Sequence, residues 1–190
     1  MKFDDVFWPF PVLNTSRLTL RSLSQRDIHD VFEYCSKREV SEFVAWHSHQ
    51  NLADSRGFID WVLMNYQNRL AMTWAVEVTA LHKVIGTCSY VTIDPLFKVC
   101  ELGYALSSDF WGQGYASEAA MSLVHFGFSH VGFQRMEAKC MTGNHASARV
   151  LEKLGMRLEG VLRKGIFCKN RAHDLRLYAM TDDDYRRMIG

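Results

Sequence analysis

The stretch from Thr73 to Leu106 constrains the chain most. Three runs rich in β-branched and aromatic residues, Thr73–Val78, Val84–Val91 and Val99–Leu106, follow one another across short breaks. Leu81-His82-Lys83 reads as a hairpin turn, and three strands so spaced predict an antiparallel meander. A glycine loop, Trp111-Gly112-Gln113-Gly114-Tyr115-Ala116, comes directly after the third run and opens a helical pattern from about Ser117 to Val131.

The flanking pattern alternates between the two periods. Arg17-Leu18-Thr19-Leu20-Arg21 alternates polar and apolar residues as a half-buried strand does. Asp27 starts a short amphipathic helix carrying Ile28, Val31, Phe32 and Cys35. A longer helix is expected from Asp54 to about Leu70, with Phe58, Trp61, Val62 and Met64-Asn65-Tyr66 recurring at helical spacing. Arg135 to Met141 reads as a strand, and Ala146 to Leu154 as a helix ended by Gly155. Gly160 to Phe167 and Asp174 to Met180 are two more strands. The order is βαα, three strands, α, β, α, ββ, a mixed α/β fold. Three prolines and no Gly/Ser-rich linker leave no domain boundary, so residues 1–190 are read as one domain.

Charge and cysteine usage exclude several classes. With 22 basic and 21 acidic residues there is no basic excess of the kind nucleic-acid binders carry. Cys35, Cys88, Cys100, Cys140 and Cys168 include no CxxC pair and read as buried or semi-buried free thiols. His47 and His49 lack a third partner at ligand spacing, so no metal is expected. Met1 to Pro11 lacks a basic segment followed by an apolar core, and no run approaches the ~20 apolar residues of a membrane span. A soluble cytoplasmic protein is expected.

The glycine loop lies where backbone N–H groups and a helix dipole can meet an anionic phosphate. A P-loop would need Gly-Lys-Ser/Thr, where Ala116-Ser117 stands. A dinucleotide fold would use Gly112-x-Gly114 with Glu137 about 23 residues on, but its third glycine is replaced by Ser117. A plain glycine turn before a helix is the remaining reading of this segment alone.

Four segments in order resemble the GNAT acetyltransferase superfamily, and within it the ribosomal-protein alanine N-acetyltransferase branch. They are Glu101 to Leu106, Trp111 to Ala119, Asn144 to Ser147 and Glu152 to Met156, with Arg17 to Arg21 and Glu159-Gly160 in support. The resemblance spans about Leu13 to Met180. It implies a strongly twisted mixed sheet flanked by helices, with acetyl-CoA as co-substrate. By the same resemblance Ala105, Leu106 and Ser107 would offer backbone groups to the pantetheine arm. Trp111, Gly112, Gln113, Gly114, Tyr115, Ala116 and Ser117 would hold the pyrophosphate through main-chain N–H groups. Trp111 replaces the Gln or Arg of the general superfamily loop, as is usual for the branch. Asn144 would contact the coenzyme; it also reads as a helix N-cap.

Acyl transfer needs a base for the amine, donors for the oxyanion and a proton for the thiolate. Glu101 is the candidate base, the alternative being a surface or salt-bridged glutamate. It shares a strand face with Gly103 rather than Leu102. Ser147 is the candidate acid or, failing that, a helix-start residue. Another GNAT branch places a tyrosine where this chain has Leu151, and the second glutamate of some ribosomal enzymes is absent near Ile166. No cysteine flanks the loop, so direct attack in a ternary complex is expected. The implied acceptor is a protein N-terminus, with a homodimer allowed and no nucleic-acid or membrane partner. A small-molecule amine and a silent acyl-CoA-binding module are the rivals. Phe43 to Gln50 sits where the family places substrate-facing loops, the alternative being a segment that only packs, and peptides beginning with Ala or Ser are the expected substrates.

Overall fold

The computed structural model describes residues 6–68 and 71–190. Two short N-terminal strands, β1 (Leu13–Asn14) and β2 (Leu18–Ser22), precede α1 (Ile28–Cys35), α2 (Arg38–Ser41) and α3 (Leu52–Asn68). The expected end of α3 near Leu70 lies outside the described residues. The meander follows as β3 (Met72–Val78), β4 (Lys83–Asp94) and β5 (Val99–Leu106). Then come α4 (Tyr115–Phe126), β6 (Arg135–Met141), α5 (His145–Lys153), β7 (Arg157–Cys168), β8 (Arg171–Thr181) and α6 (Asp182–Ile189).

All eight strands join one sheet in the order β1-β2-β3-β4-β5-β6-β8-β7. Every neighbouring pair is antiparallel except β5 and β6. That parallel pairing is short: it runs from Val99↔Arg135 to Glu101↔Glu137 and stops. Beyond Glu101, β5 stays on β4 as far as Gly86↔Leu106, while β6 stays on β8 as far as Met141↔Leu175. The two strands diverge and leave a slot in the middle of the sheet. A register shift between Tyr90 and Thr92 of β4 faces this point, so the bulge and the divergence begin together. Bulges bend a strand and increase its twist, which here carries the end of β5 away from β6.

Helices cover both faces. Leu18, Leu20, Trp74, Val76 and Leu102 pack with Ala119, Leu123 and Leu151 of α4 and α5 on one side. Ala75 and Val84 pack with Ile28, Val31, Ile59 and Val62 of α1 and α3 on the other. The free thiols follow the sequence reading: Cys35, Cys88, Cys100 and Cys140 are buried, and Cys168 is half-buried.

Several local features depart from the expected elements, among them the short α2 (Arg38–Ser41), which no periodicity announced. Helix α4 starts at Tyr115, two residues earlier than the periodicity suggests, because Gly114 takes a left-handed φ of +84° at its N-cap. After Phe126 the helix widens into a π turn over Gly127–Val131, next to Leu123, whose carbonyl accepts the Tyr90 hydroxyl at 2.6 Å. Helix α6 was not expected. Thr181 caps it reciprocally with Asp184, Asp182 to Asp184 fill its first turn, and Arg186 and Arg187 its last. Among the described residues no helix is long and apolar enough to cross a membrane.

Candidate active site

The slot between β5 and β6 opens on two cavities. One, of about 410 Å³, is lined by Tyr104, Ala105 and Leu106 of β5, the glycine loop, the first turn of α4 and one face of α5. The other, of about 520 Å³, is lined by Glu101 to Ala105, by Ala138 to Met141 of β6 and by Phe43 to Trp46. Phe43, Val44, Tyr104, Ala105, Asn144 and Ser147 belong to both and mark where the cavities meet.

The first cavity suits a polyanion. None of the backbone N–H groups of residues 112–117 donates to any described residue. Gly112 and Gly114, with φ of +75° and +84°, turn the loop, and residues 112 and 114–117 line the cleft. Residues 115–117 of that set form the first turn of α4, which adds the positive end of the helix dipole. Arg149 and Lys153, four residues apart on α5, line the same cleft, and neither makes an ion pair with a described residue. The sequence reading passed over both, because two cations on a helix usually mean a solvated face.

Arg17 braces the loop from behind. Its Nη1 donates to the Gln113 carbonyl at 3.0 Å, its Nε to Glu118 Oε2 at 2.6 Å, and its guanidinium lies 4.2 Å from the Tyr115 ring centroid. Thr15 Oγ1 donates to Glu118 Oε1 at 2.5 Å. Burial opposes ionisation of Glu118, but the Thr15 and Arg17 bonds win and hold its pKa below the ordinary value. Arg17 and Glu118 are 101 positions apart, so only the fold reveals their pairing.

Two residues expected in the coenzyme set do not line the cleft. Ser107 is buried; its N–H donates to the Ile85 carbonyl at 2.7 Å and its carbonyl accepts from Phe110 at 3.1 Å. Gln113 points its amide back to the Asp109 carbonyl at 3.0 Å. The Leu106 carbonyl is likewise taken, by the Trp111 indole N–H at 2.9 Å. Ala105, Leu106, Trp111, Gly112, Gly114, Tyr115, Ala116, Ser117 and Asn144 all line the cleft. Asn144 is also the N-cap of α5, its Oδ1 accepting from the Ser147 N–H at 3.0 Å.

The candidate acid and base approach from opposite faces. Along β5, Leu102, Tyr104 and Leu106 face α4 and α5, whereas Glu101, Gly103 and Ala105 face the other way. Ser147, on α5, therefore reaches the slot from one side and Glu101 from the other. Glu101 Oε2 accepts from Lys139 Nζ at 2.7 Å, so the salt-bridged reading is the geometry seen; Oε1 bonds no described residue. Among the described residues these two are the only charged side chains lining the second cavity, whose other walls are apolar and aromatic with the neutral polar Thr73, Thr87, Ser89, Asn144 and Ser147. Leu151 and Ile166 both line this cavity.

Tyr104 is the residue the sequence reading missed. Its hydroxyl lies 2.9 Å from Ser147 Oγ and 3.2 Å from the Ser147 carbonyl oxygen. Burial pushes its pKa well above the ordinary value, against a lowering from the Ser147 bond. A tyrosine alternating with Leu102 and Leu106 reads as core, and nothing in β5 alone foretells a partner on α5. In the loop after α2, Trp46 faces the second cavity, while His49 turns its Nδ1 to Ser55 Oγ at 2.8 Å. Among the described residues no group of three or more His, Cys, Asp or Glu side chains converges on a metal site.

A split central sheet, a run of free N–H groups at a helix start and a second cavity beyond the split give a two-chambered site, one chamber of which suits an anionic ligand. A profile of the acetyltransferase (GNAT) domain matches residues 17–157, and the chain belongs to the GNAT acetyltransferases. Proteins of this family take acetyl-CoA as co-substrate. The chain is 30% identical over 171 residues to the uncharacterized N-acetyltransferase YoaA of Bacillus subtilis, covering 90% of this chain and 97% of that protein. It is 27% identical over 169 residues to the ribosomal-protein-serine acetyltransferase of Escherichia coli, covering 87% and 93%. Among solved structures, the microcin C7 self-immunity acetyltransferase MccE in complex with acetyl-CoA and AMP aligns with a TM-score of 0.80 at 25% identity, over 88% of this chain and 93% of that one.

Proposed function

We propose that this acetyltransferase acts on the N-terminal amine of a protein or peptide, by direct attack on acetyl-CoA in a ternary complex. Acetyl-CoA enters the first cavity with its pyrophosphate on the N–H groups of residues 112–117 and its remaining phosphate toward Arg149 and Lys153. The pantetheine arm follows Ala105 and Leu106 to the junction at Ser147. The amine enters from the second cavity, and Glu101 takes its proton directly or through water. The N–C bond forms as the C–S bond breaks, and Ser147 donates its hydroxyl hydrogen toward the departing sulfur.

The observation that carries the acceptor class is that, among the described residues, the second cavity holds one carboxylate, already paired with Lys139 at 2.7 Å. A polyamine or aminoglycoside would bring several positive charges into walls that neutralise none of them. An α-amine titrates near 8 and a lysine-type amine near 10.4, so deprotonating the former at neutral pH is easier by about 3 kcal/mol. The similarity to the E. coli ribosomal-protein-serine acetyltransferase supports the same class. The test is a peptide beginning Ala or Ser with an internal lysine, its acetylated product mapped by mass spectrometry. Acetyl on the α-amine is the expected result; acetyl on the lysine or on neither amine removes this acceptor class.

One feature favours a second reading, a small-molecule amine joined to a planar ring. Trp61 is 50% exposed in the wall of the second cavity and stacks on Phe58 at 6.3 Å. Such a wall can hold a flat ring by stacking, and MccE was solved with AMP. Aminoacyl nucleotides in the same assay separate this reading from the first.

A further inference from the structure

We infer that Tyr104 is a positioning residue for acetyl transfer: it fixes the direction in which the Ser147 hydroxyl hydrogen points. This rests on the proposed role of Ser147 as donor to the departing sulfur.

Two hydroxyls 2.9 Å apart share one hydrogen between their oxygens, and which one supplies it decides where the other points. In one arrangement Ser147 donates to Tyr104, and Tyr104 donates to the Ser147 carbonyl at 3.2 Å. The Ser147 hydrogen is then spent inside the protein. In the other, Tyr104 donates to Ser147 Oγ, and the Ser147 hydrogen is free to point into the junction of the two cavities. Both make the 2.9 Å contact, but only the second places the Tyr104 hydrogen on the shorter of its two contacts. It also leaves the Ser147 carbonyl to the helical N–H four residues on, at Leu151, as in any turn of α5.

The surroundings keep Tyr104 a donor. The ionisable groups acting on it are Cys88 of β4, Cys140 of β6 and Tyr178 of β8. Burial raises the pKa of each, so all three are neutral at physiological pH. Cys140 also interacts with the Ser147 hydroxyl and competes for its hydrogen. Among the described residues no base acts on Tyr104, and its own raised pKa makes it a poor acid. Tyr104 therefore loses no proton in the reaction: the amine gives its proton to Glu101, and the electron pair of the C–S bond goes to sulfur. A Ser147 hydroxyl held by Tyr104 meets that growing charge without having to reorient, which is the advantage of a preorganised donor.

A double-mutant cycle of Tyr104→Phe and Ser147→Ala, with acetyl-CoA and a Ser-initiated peptide, tests the inference. Tyr104→Phe should lower kcat about tenfold, the worth of one hydrogen bond to a charged group, and leave KM for acetyl-CoA within about twofold. Ser147→Ala should lower kcat by a similar factor, and the double variant should be no slower than Ser147→Ala alone. Tyr104→Phe at the wild-type rate beside a slow Ser147→Ala would overturn the inference while leaving the donor role of Ser147. So would two losses that multiply in the double variant. Ser147→Ala at the wild-type rate would remove the donor role and the inference with it. Should Tyr104→Phe melt out, 3,5-difluorotyrosine at position 104 keeps the ring and acidifies the phenol. It should bring in an alkaline loss of kcat that the wild type lacks, and an unchanged pH profile would overturn the inference.

Discussion

Valine in place of Gly114 separates the phosphate site from the fold. The residue has φ +84°, and the nearest atom to an added Cβ is the Arg17 Nη2 at 3.4 Å, an ordinary contact with the end of a flexible side chain. The cost of Gly114→Val is therefore backbone strain rather than collision, about 1–3 kcal/mol for a non-glycine residue in the left-handed region, at the upper end for a β-branched one. Relief comes by rotating the peptide units on either side, which turns the N–H groups of residues 112–117 out of line. Losing one charge-assisted hydrogen bond of about 1.5–3 kcal/mol raises the Kd for acetyl-CoA roughly ten- to a hundredfold. Gly132 is the control, with φ +79° and nothing within 4 Å of an added Cβ, at the end of the π turn and outside the cleft. Gly132→Val should lose similar stability and keep wild-type affinity. Calorimetric titration with acetyl-CoA and a thermal melt of both variants make the comparison. Equal affinity for Gly114→Val and wild type, in folded protein, would refute the placement of the pyrophosphate.

Glu101→Gln keeps the shape of the side chain and removes the base, so kcat at saturating acetyl-CoA should fall on the order of 10²-fold or more at neutral pH; a rate within about twofold of wild type retires Glu101 in favour of water. Arg17→Ala should cost about 1 kcal/mol, discounted because the Arg17 side chain is 42% exposed. The sign of its pH dependence follows from Glu118, whose pKa in the folded protein lies below the ordinary 4.5. Its contribution is fully present above 4.5 and is lost as pH falls through the depressed folded value, so the gap between wild type and Arg17→Ala should close on acidification. Urea unfolding across that range measures it, and a gap independent of pH would contradict the ion-pair account.

The strands were legible because their side chains alternate on a half-buried sheet. Arg135–Met141 and Val99–Leu106 match the observed β6 and β5 to the residue. The β7–β8 hairpin is longer than Gly160–Phe167 and Asp174–Met180 suggest, since register shifts at Leu158/Gly160 and Leu162/Ile166 break its alternation. Helix α6 was readable and missed: Thr181 with Asp184 three residues on is a capping signal, but a run so polar offers no apolar stripe to notice. The two-residue β1 carries no periodic signal at all.

The site was legible where its chemistry is local. A glycine loop opening a helix states in a few adjacent residues that N–H groups will be free, and the structure keeps them free. Ser107 misled for the same reason, because adjacency to the loop does not reveal that Ile85 and Phe110 already take its backbone groups. Pairings across the slot were out of reach. Lys139 meets Glu101 from a strand 38 positions away, and Tyr104 meets Ser147 across 43, so each becomes visible only once β5 and β6 part.

The acceptor class is tested most directly by thiol release from acetyl-CoA with each amine type at equal concentration: Ala- and Ser-initiated peptides, a polyamine, an aminoglycoside and an aminoacyl nucleotide. The account expects the highest kcat/KM for the peptides. A clear advantage for any of the other amines would contradict it while leaving the acetyltransferase assignment in place.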